Sequence, residues 1–136
     1  NTKLKRKRII SAKTAYLLKE AFKSVVSEKG TAKRAAIDGN TVAGKPGTTR
    51  LIDPATGRYS HKNFVSSFVG MVPADHPIFI VIVVIWNPKG RYYGGEVAAP
   101  VFKAIAERVL SYKMIPRDDI QDEQILVVKG YEGRVY

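Results

Sequence analysis

Three apolar runs, 41–52, 64–72 and 78–86, are separated by connections rich in turn residues, and they constrain the fold more than any other feature. Each run reads as a strand by length and composition. The first ends at Asp53-Pro54-Ala55-Thr56-Gly57 and the second at Pro73-Ala74-Asp75. Proline presets one backbone angle in such turns, and glycine tolerates the positive one. Links this short favour antiparallel neighbours, since a parallel return takes a dozen residues or more. A meander in the order one, two, three follows, with the first strand at an edge. The third run is almost wholly β-branched or aromatic, which predicts a strand buried on both faces.

A helix on each side completes the pattern. Ser11 is a candidate N-cap, and Ala15, Leu18, Phe22, Val25 and Val26 recur at helical spacing. The helix is expected over 12–28, with Gly30 as its stop and a polar loop over 30–40. After Asn87-Pro88-Lys89-Gly90 and Tyr92-Tyr93-Gly94-Gly95, a second helix is expected over 96–112. Val97, Val101, Ile105 and Val109 form one apolar stripe, with Phe102, Ala106 and Leu110 beside it. Pro100 fits only a first turn, which places the regular start near 97–99. The class is α+β: a three-strand antiparallel sheet covered by two amphipathic helices. The division is a basic leader over 1–8, the main body over 9–116, and a polar tail over 117–136. In the tail, Asp118, Asp119, Asp122 and Glu123 read as a solvated acidic run, and 125–128 as a short strand.

A chain of 136 residues is about one domain. It has no cysteine, hence no disulfide framework and no thiolate metal site. His61 and His76 stand alone in loops and read as surface residues, so neither a metal nor a cofactor is expected. The longest apolar run, 78–86, falls far short of the roughly 20 residues that cross a bilayer. No signal-peptide core follows the basic start, so any membrane attachment must come from sequence outside this chain. The formal charge of +11 raises nucleic acid as a partner. Lys3, Lys5, Arg6, Lys7 and Arg8 cluster, but the other basic residues are scattered and no nucleic-acid-binding motif accompanies them. Nucleic acid is not expected.

The stretch Val42-Ala43-Gly44-Lys45-Pro46-Gly47-Thr48-Thr49 carries the chemistry. Apolar residues lead into a cation, a bare backbone and two hydroxyls along one strand, as the wall of an anion-binding site requires. Lys45 also has a structural reading, as an edge-strand lysine that deters aggregation. Tyr92 and Tyr93 read as packing residues before the second helix.

That stretch resembles the Lys-Thr-Gly strand motif of penicillin-binding proteins. Further segments in the same order strengthen the likeness: Ile9-Ile10-Ser11-Ala12-Lys13-Thr14-Ala15, Gly30-Thr31-Ala32-Lys33-Arg34-Ala35, Asp53-Pro54-Ala55-Thr56-Gly57-Arg58-Tyr59, Ser67-Phe68-Val69-Gly70 and Tyr92-Tyr93-Gly94-Gly95-Glu96-Val97-Ala98-Ala99-Pro100-Val101-Phe102. From Arg8 to about Pro116 the chain is similar to the C-terminal part of the transpeptidase domain of class B, division-type penicillin-binding proteins. The resemblance implies a peptidoglycan D,D-transpeptidase working through an acyl-serine, of which this chain is the sheet-side wall. Lys45 would supply charge near the serine and the substrate carboxylate. Gly47 would let the substrate backbone lie against the strand, where a Cβ would block it. Thr48 would give a hydroxyl to that carboxylate and a backbone N–H to the oxyanion hole, and Thr49 would line the substrate. Stem peptides and β-lactams are the implied ligands; the rest of the transpeptidase domain and cell-division proteins are the implied partners. The implied location is the cell envelope, outside the cytoplasmic membrane, with an anchoring segment absent from this chain.

Two departures qualify that likeness. No serine has lysine three residues on or asparagine two residues on, so the nucleophile must lie elsewhere and the chain alone is expected to be inactive. Pro46 stands where the family has threonine or serine, and the missing hydroxyl should weaken carboxylate binding. On an edge strand, proline there need cost no ladder bond. The rivals are a non-catalytic scaffold with a decayed transpeptidase fold and a basic nucleic-acid-binding module.

Overall fold

The computed structural model describes residues 7–118. Most of the basic start, the apolar patch at 125–128, and Asp119, Asp122 and Glu123 lie outside these residues. The chain runs α1 (Ala12–Val26), a 3-10 turn (Lys33–Ala35), β1 (Ala43–Ile52), β2 (Tyr59–Val72), β3 (Phe79–Trp86) and α2 (Gly94–Tyr112). Both strand pairs are antiparallel in the order β1-β2-β3, so the meander and the edge position of β1 are as expected.

Directly paired residues of an antiparallel sheet share a face, so register assigns the faces. Thr48, Ser66 and Ile85 lie on one face; Lys45, Val69 and Ile82 lie on the other. Against the first face packs α2. Its contact centres on Phe68 and Phe102, both fully buried, with ring centroids 4.8 Å apart. A Cβ at Gly70 would sit 2.6 Å from the Phe102 ring, so the bare backbone there makes room for the phenylalanine. Buried Ala98, Ala99 and Ala106 bring the helix close to its neighbours.

The opposite face corrects the reading of the third run. Ile80, Ile82, Val84 and Trp86 are 62%, 69%, 59% and 69% exposed, and Val69 joins them at 39%. One face of β3 meets α2; the other is covered by nothing among the described residues. Composition announced a doubly buried strand because all its residues suit burial, and only the missing layer tells the faces apart.

The second helix also differs from its pattern. Its buried side is Ala98, Ala99, Phe102, Ala106 and Leu110, whereas Val101 and Ile105 are 42% and 40% exposed. Two adjacent apolar stripes look alike in sequence, and the fit around Gly70 selects the one bearing Phe102. The helix begins at Gly94, which leaves Pro100 inside it. Proline deprives the Glu96 carbonyl of its intrahelical donor. Arg34 Nη1 supplies a donor to that carbonyl from the 3-10 turn, at 3.4 Å.

Ser11 caps α1 as expected, accepting from the Thr14 N–H at 3.0 Å. The helix packs on β1 and the 3-10 turn and makes no contact with α2, so the two helices do not lie side by side. Only Val26 is buried, and Tyr16, Leu17 and Leu18 are exposed. The loop over 30–40 is more ordered than expected: it holds the 3-10 turn and buries Ala32, Ala35 and Ile37.

Asp118 is not a solvated residue. Its carboxylate accepts from the Thr41 N–H at 2.7 Å and from the Thr41 hydroxyl, while its own N–H donates to the Gly39 carbonyl at 2.9 Å. The chain beyond α2 is thereby pinned where β1 begins.

Candidate functional site

The expected site residues lie in the middle of β1. The strand is buried at Ala43 and Gly44 and open from Lys45 onward. Pairing with β2 continues through Pro46, opposite Phe68, without a shift in register until Arg50. Proline is therefore accommodated without breaking the strand, as an edge position permits.

Lys45 is exposed and paired with no carboxylate among the described residues; its Nζ donates to the Pro46 carbonyl at 3.0 Å. Thr48 belongs to the α2 face, and its Oγ1 accepts from the Gly94 N–H at 3.0 Å. That bond fixes the hydroxyl oxygen and leaves its proton free to donate outward. Thr49 is exposed on the Lys45 side of the sheet. Lys45 and Thr48 thus emerge on opposite faces and are joined by the backbone of the open edge.

Gly47 has a reason the sequence did not disclose. A Cβ there would lie 2.5 Å from Ser67 Oγ on the paired residue of β2. A side chain at 47 would have to turn that hydroxyl away, and Ser67 thus places a half-buried hydroxyl against the motif. Gly94 is bound more tightly still. Its Cβ would meet the carbonyls of Ser67 and Gly47 at 2.3 and 2.4 Å. The first turn of α2 therefore sits directly against the β1 and β2 backbones at the motif.

Between that turn and the strand lies a cavity of about 340 Å³, lined by Pro46, Gly47, Thr48, Tyr93, Gly94 and Glu96 among others. It takes in Gly47 and Thr48 but neither Lys45 nor Thr49. Tyr93 packs on the Tyr92 ring, with centroids 4.6 Å apart, and its 57% exposed side chain also lines this cavity. Tyr92 does pack, stacked on Phe64 with centroids 4.0 Å apart. Glu96 pairs with Arg91 at 3.4 Å. The signal for Tyr93 was its place one residue before two glycines, where a helix docks closely and leaves the preceding side chain at the rim. Buried Ser66 donates its hydroxyl to the Tyr92 carbonyl and has a structural role. His61 and His76 are exposed as expected, but His61 lies on β2, which starts at Tyr59, rather than in a loop. Among the described residues no cluster of histidine and carboxylate groups is placed to hold a metal ion.

Comparison with known proteins places this strand in context. The penicillin binding protein transpeptidase domain family matches residues 1–107. Peptidoglycan D,D-transpeptidase FtsI of Buchnera aphidicola is 37% identical over 82% of this chain and 19% of its own length. Stage V sporulation protein D of Bacillus subtilis is 41% identical over 71% of this chain and 15% of its own. Among solved structures, the transpeptidase domain of penicillin-binding protein 3 from Burkholderia pseudomallei superposes with a TM-score of 0.73 at 38% identity. That match covers 82% of this chain and 34% of that one. Penicillin-binding protein 3 from Mycobacterium tuberculosis, complexed with ampicillin, gives a TM-score of 0.73 at 28% identity, over 81% of this chain and 26% of that one. The chain spans less than a quarter of the length of the Buchnera and Bacillus relatives.

Proposed function

The chain belongs to the penicillin-binding protein transpeptidase family, class B, as part of the transpeptidase domain, and from that membership we propose that β1 is the sheet-side wall of a peptidoglycan D,D-transpeptidase site. The serine lies in the part of the domain outside this chain. Its oxygen attacks the penultimate peptide carbonyl of a stem ending in D-Ala-D-Ala, the terminal D-Ala leaves as the amine, and a neighbouring stem's amine then resolves the ester. Lys45 supplies positive charge to the serine and the terminal carboxylate. The Thr48 N–H gives one oxyanion donor; a correctly aimed donor of this kind is worth about 10²–10³ in rate. The Thr48 hydroxyl binds the carboxylate, and Gly47 and Thr49 line the substrate backbone. β-Lactams acylate the same serine.

One observation carries this reading most directly: an exposed edge holds Lys45, Gly47 and Thr48 in the family's order, with the Thr48 hydroxyl oxygen fixed by Gly94 and its proton free. The rest of the domain is the first partner. Cell-division proteins and an envelope location outside the cytoplasmic membrane belong to the same proposal. Among the described residues no helix is long and apolar enough to cross a membrane. Pro46 favours a second reading, a scaffold whose transpeptidase fold has lost activity.

Fluorescent penicillin separates them. The whole protein should form one denaturation-resistant adduct per molecule and the isolated chain none. A whole protein that never labels would leave the scaffold reading standing, and an adduct on a serine of this chain would misplace the nucleophile.

A further inference from the structure

The hairpin that continues β1 has features the transpeptidase reading does not use. Beyond Arg50 the register shifts, Ile52 pairs with Tyr59, and these two side chains are 63% and 65% exposed. Pairing between β2 and β3 begins only at Val65 and Trp86, so the hairpin stands clear of the third strand. Its turn is well defined. The Asp53 N–H donates to the Arg58 carbonyl and the Gly57 N–H to the Asp53 carbonyl, each at 2.8 Å. Asp53 Oδ1 accepts from the Ala55 N–H at 2.9 Å, and Ser60 Oγ accepts from the Lys62 and Asn63 N–H groups at 3.1 and 3.0 Å.

Beside this turn is a cavity of about 420 Å³, lined by Arg58, Lys62, His61, Tyr59 and Asp53 among others. Among the described residues neither Arg58 nor Lys62 forms an ion pair. Arg58 at the turn and Lys62 on β2 thus give this cavity two cations against one acid, Asp53, whose carboxylate accepts the Ala55 N–H.

Direction along β1 decides what reaches them. Among the described residues, a peptide on this edge, anchored by its terminal carboxylate at Lys45 and Thr48, has its open course toward the hairpin. Toward the start of the strand, Ala43 and Gly44 are buried and Asp118 is fastened to Thr41. Toward the hairpin, Thr48, Thr49, Arg50 and Ile52 are exposed. An extended chain advances about 3.3 Å per residue, so a few residues beyond the anchor bring it to the hairpin.

We propose that the β1–β2 hairpin is an accessory site for a second, internal carboxylate of an acidic peptide substrate, with Arg58 and Lys62 as its specificity-determining residues. The proposal rests on the reading of β1 as substrate wall. Arg58 offers the planar fork that matches a carboxylate, and Lys62 a point charge beside it. The hairpin thereby favours a peptide with a carboxylate at that position over one with the neutral carboxamide.

The test uses the whole protein that carries this segment and two synthetic peptides. Both end in D-Ala-D-Ala; one carries an internal carboxylate and the other the carboxamide at that position. The unsubstituted protein should prefer the carboxylate peptide in kcat/KM by roughly tenfold, as a charge-assisted hydrogen bond is worth. The double variant Arg58→Gln, Lys62→Gln should lose that preference. Charge reversal to Arg58→Glu, Lys62→Glu should invert it. A preference that persists in both variants, or that the unsubstituted protein never shows, overturns the proposal. If the unsubstituted protein is not acylated by penicillin either, the reading of β1 falls with it; if penicillin acylates normally, only the hairpin assignment fails.

Discussion

Thr48 uses one hydroxyl for two purposes, and the two can be separated by substitution. Its oxygen receives the Gly94 N–H at 3.0 Å, while its proton is the donor offered to a substrate carboxylate. Thr48→Ser keeps both; Thr48→Val removes both and leaves an N–H unpartnered at the start of α2. Gly94 is the other decisive residue here. Gly94→Ala places a Cβ against two backbone carbonyls, which cannot rotate away as a side chain can. It should cost roughly 1–3 kcal/mol as overpacking does, read as a lower denaturation midpoint, and an unchanged midpoint would show that α2 docks differently. At this scale the sequence was legible where chemistry is written in order, as in Lys45-Pro46-Gly47-Thr48. It was silent where the cause is a distant neighbour. Nothing local announces that Ser67 lies against Gly47, and an aspartate beginning an acidic run does not reveal that Thr41 binds it.

Elements are fastened by a few polar contacts over an apolar core. Lys19 and Lys23 on α1 both bind Asp75 in the β2–β3 turn, at 2.7 and 3.0 Å. The hydrogen bond from Lys19, then that from Lys23, holds the Asp75 carboxyl below its ordinary value of 3.8. The hydrogen bond to Asp75 raises Lys23 above 10.5. A lowered acid stabilises above its unfolded value, and that contribution is lost as pH falls through the folded one. A raised base stabilises below its unfolded value and loses the contribution as pH rises through the folded one. Asp75→Asn should therefore lower the melting temperature between those two values and have no effect in stronger acid. The loss should match exposed pairs, about 0.2–1 kcal/mol each; a difference undiminished in stronger acid would assign it to packing instead. Strand order and helix existence were readable from period and turn chemistry, because both are local. Which stripe of α2 faces inward was not, since Val101 and Phe102 suit burial equally and Gly70 chooses between them. Pro100 misled for a similar reason: its vacated carbonyl finds Arg34, a residue far away in sequence.

At the scale of the molecule, one sheet face is left uncovered by the described residues. Val69, Ile80, Ile82, Val84 and Trp86 form an open apolar surface on the side that bears Lys45, and the first half of α1 exposes Tyr16, Leu17 and Leu18. Relatives several times longer have the sequence to cover both. Ile82→Lys should thus barely change the stability of the isolated chain, yet cost the whole protein about 2–5 kcal/mol, as loss of a buried aliphatic does. Equal effects in both would mean the face stays open. The account as a whole turns on whether β1 holds the substrate carboxylate. Second-order acylation rates of the whole protein by a simple penicillin measure this most directly. Restoring a hydroxyl with Pro46→Thr should speed acylation by on the order of 10- to 100-fold, the worth of a hydrogen bond to a charged group. Thr48→Val should slow it comparably, and Thr48→Ser should preserve it. No gain from the first with no loss from the second would contradict the account.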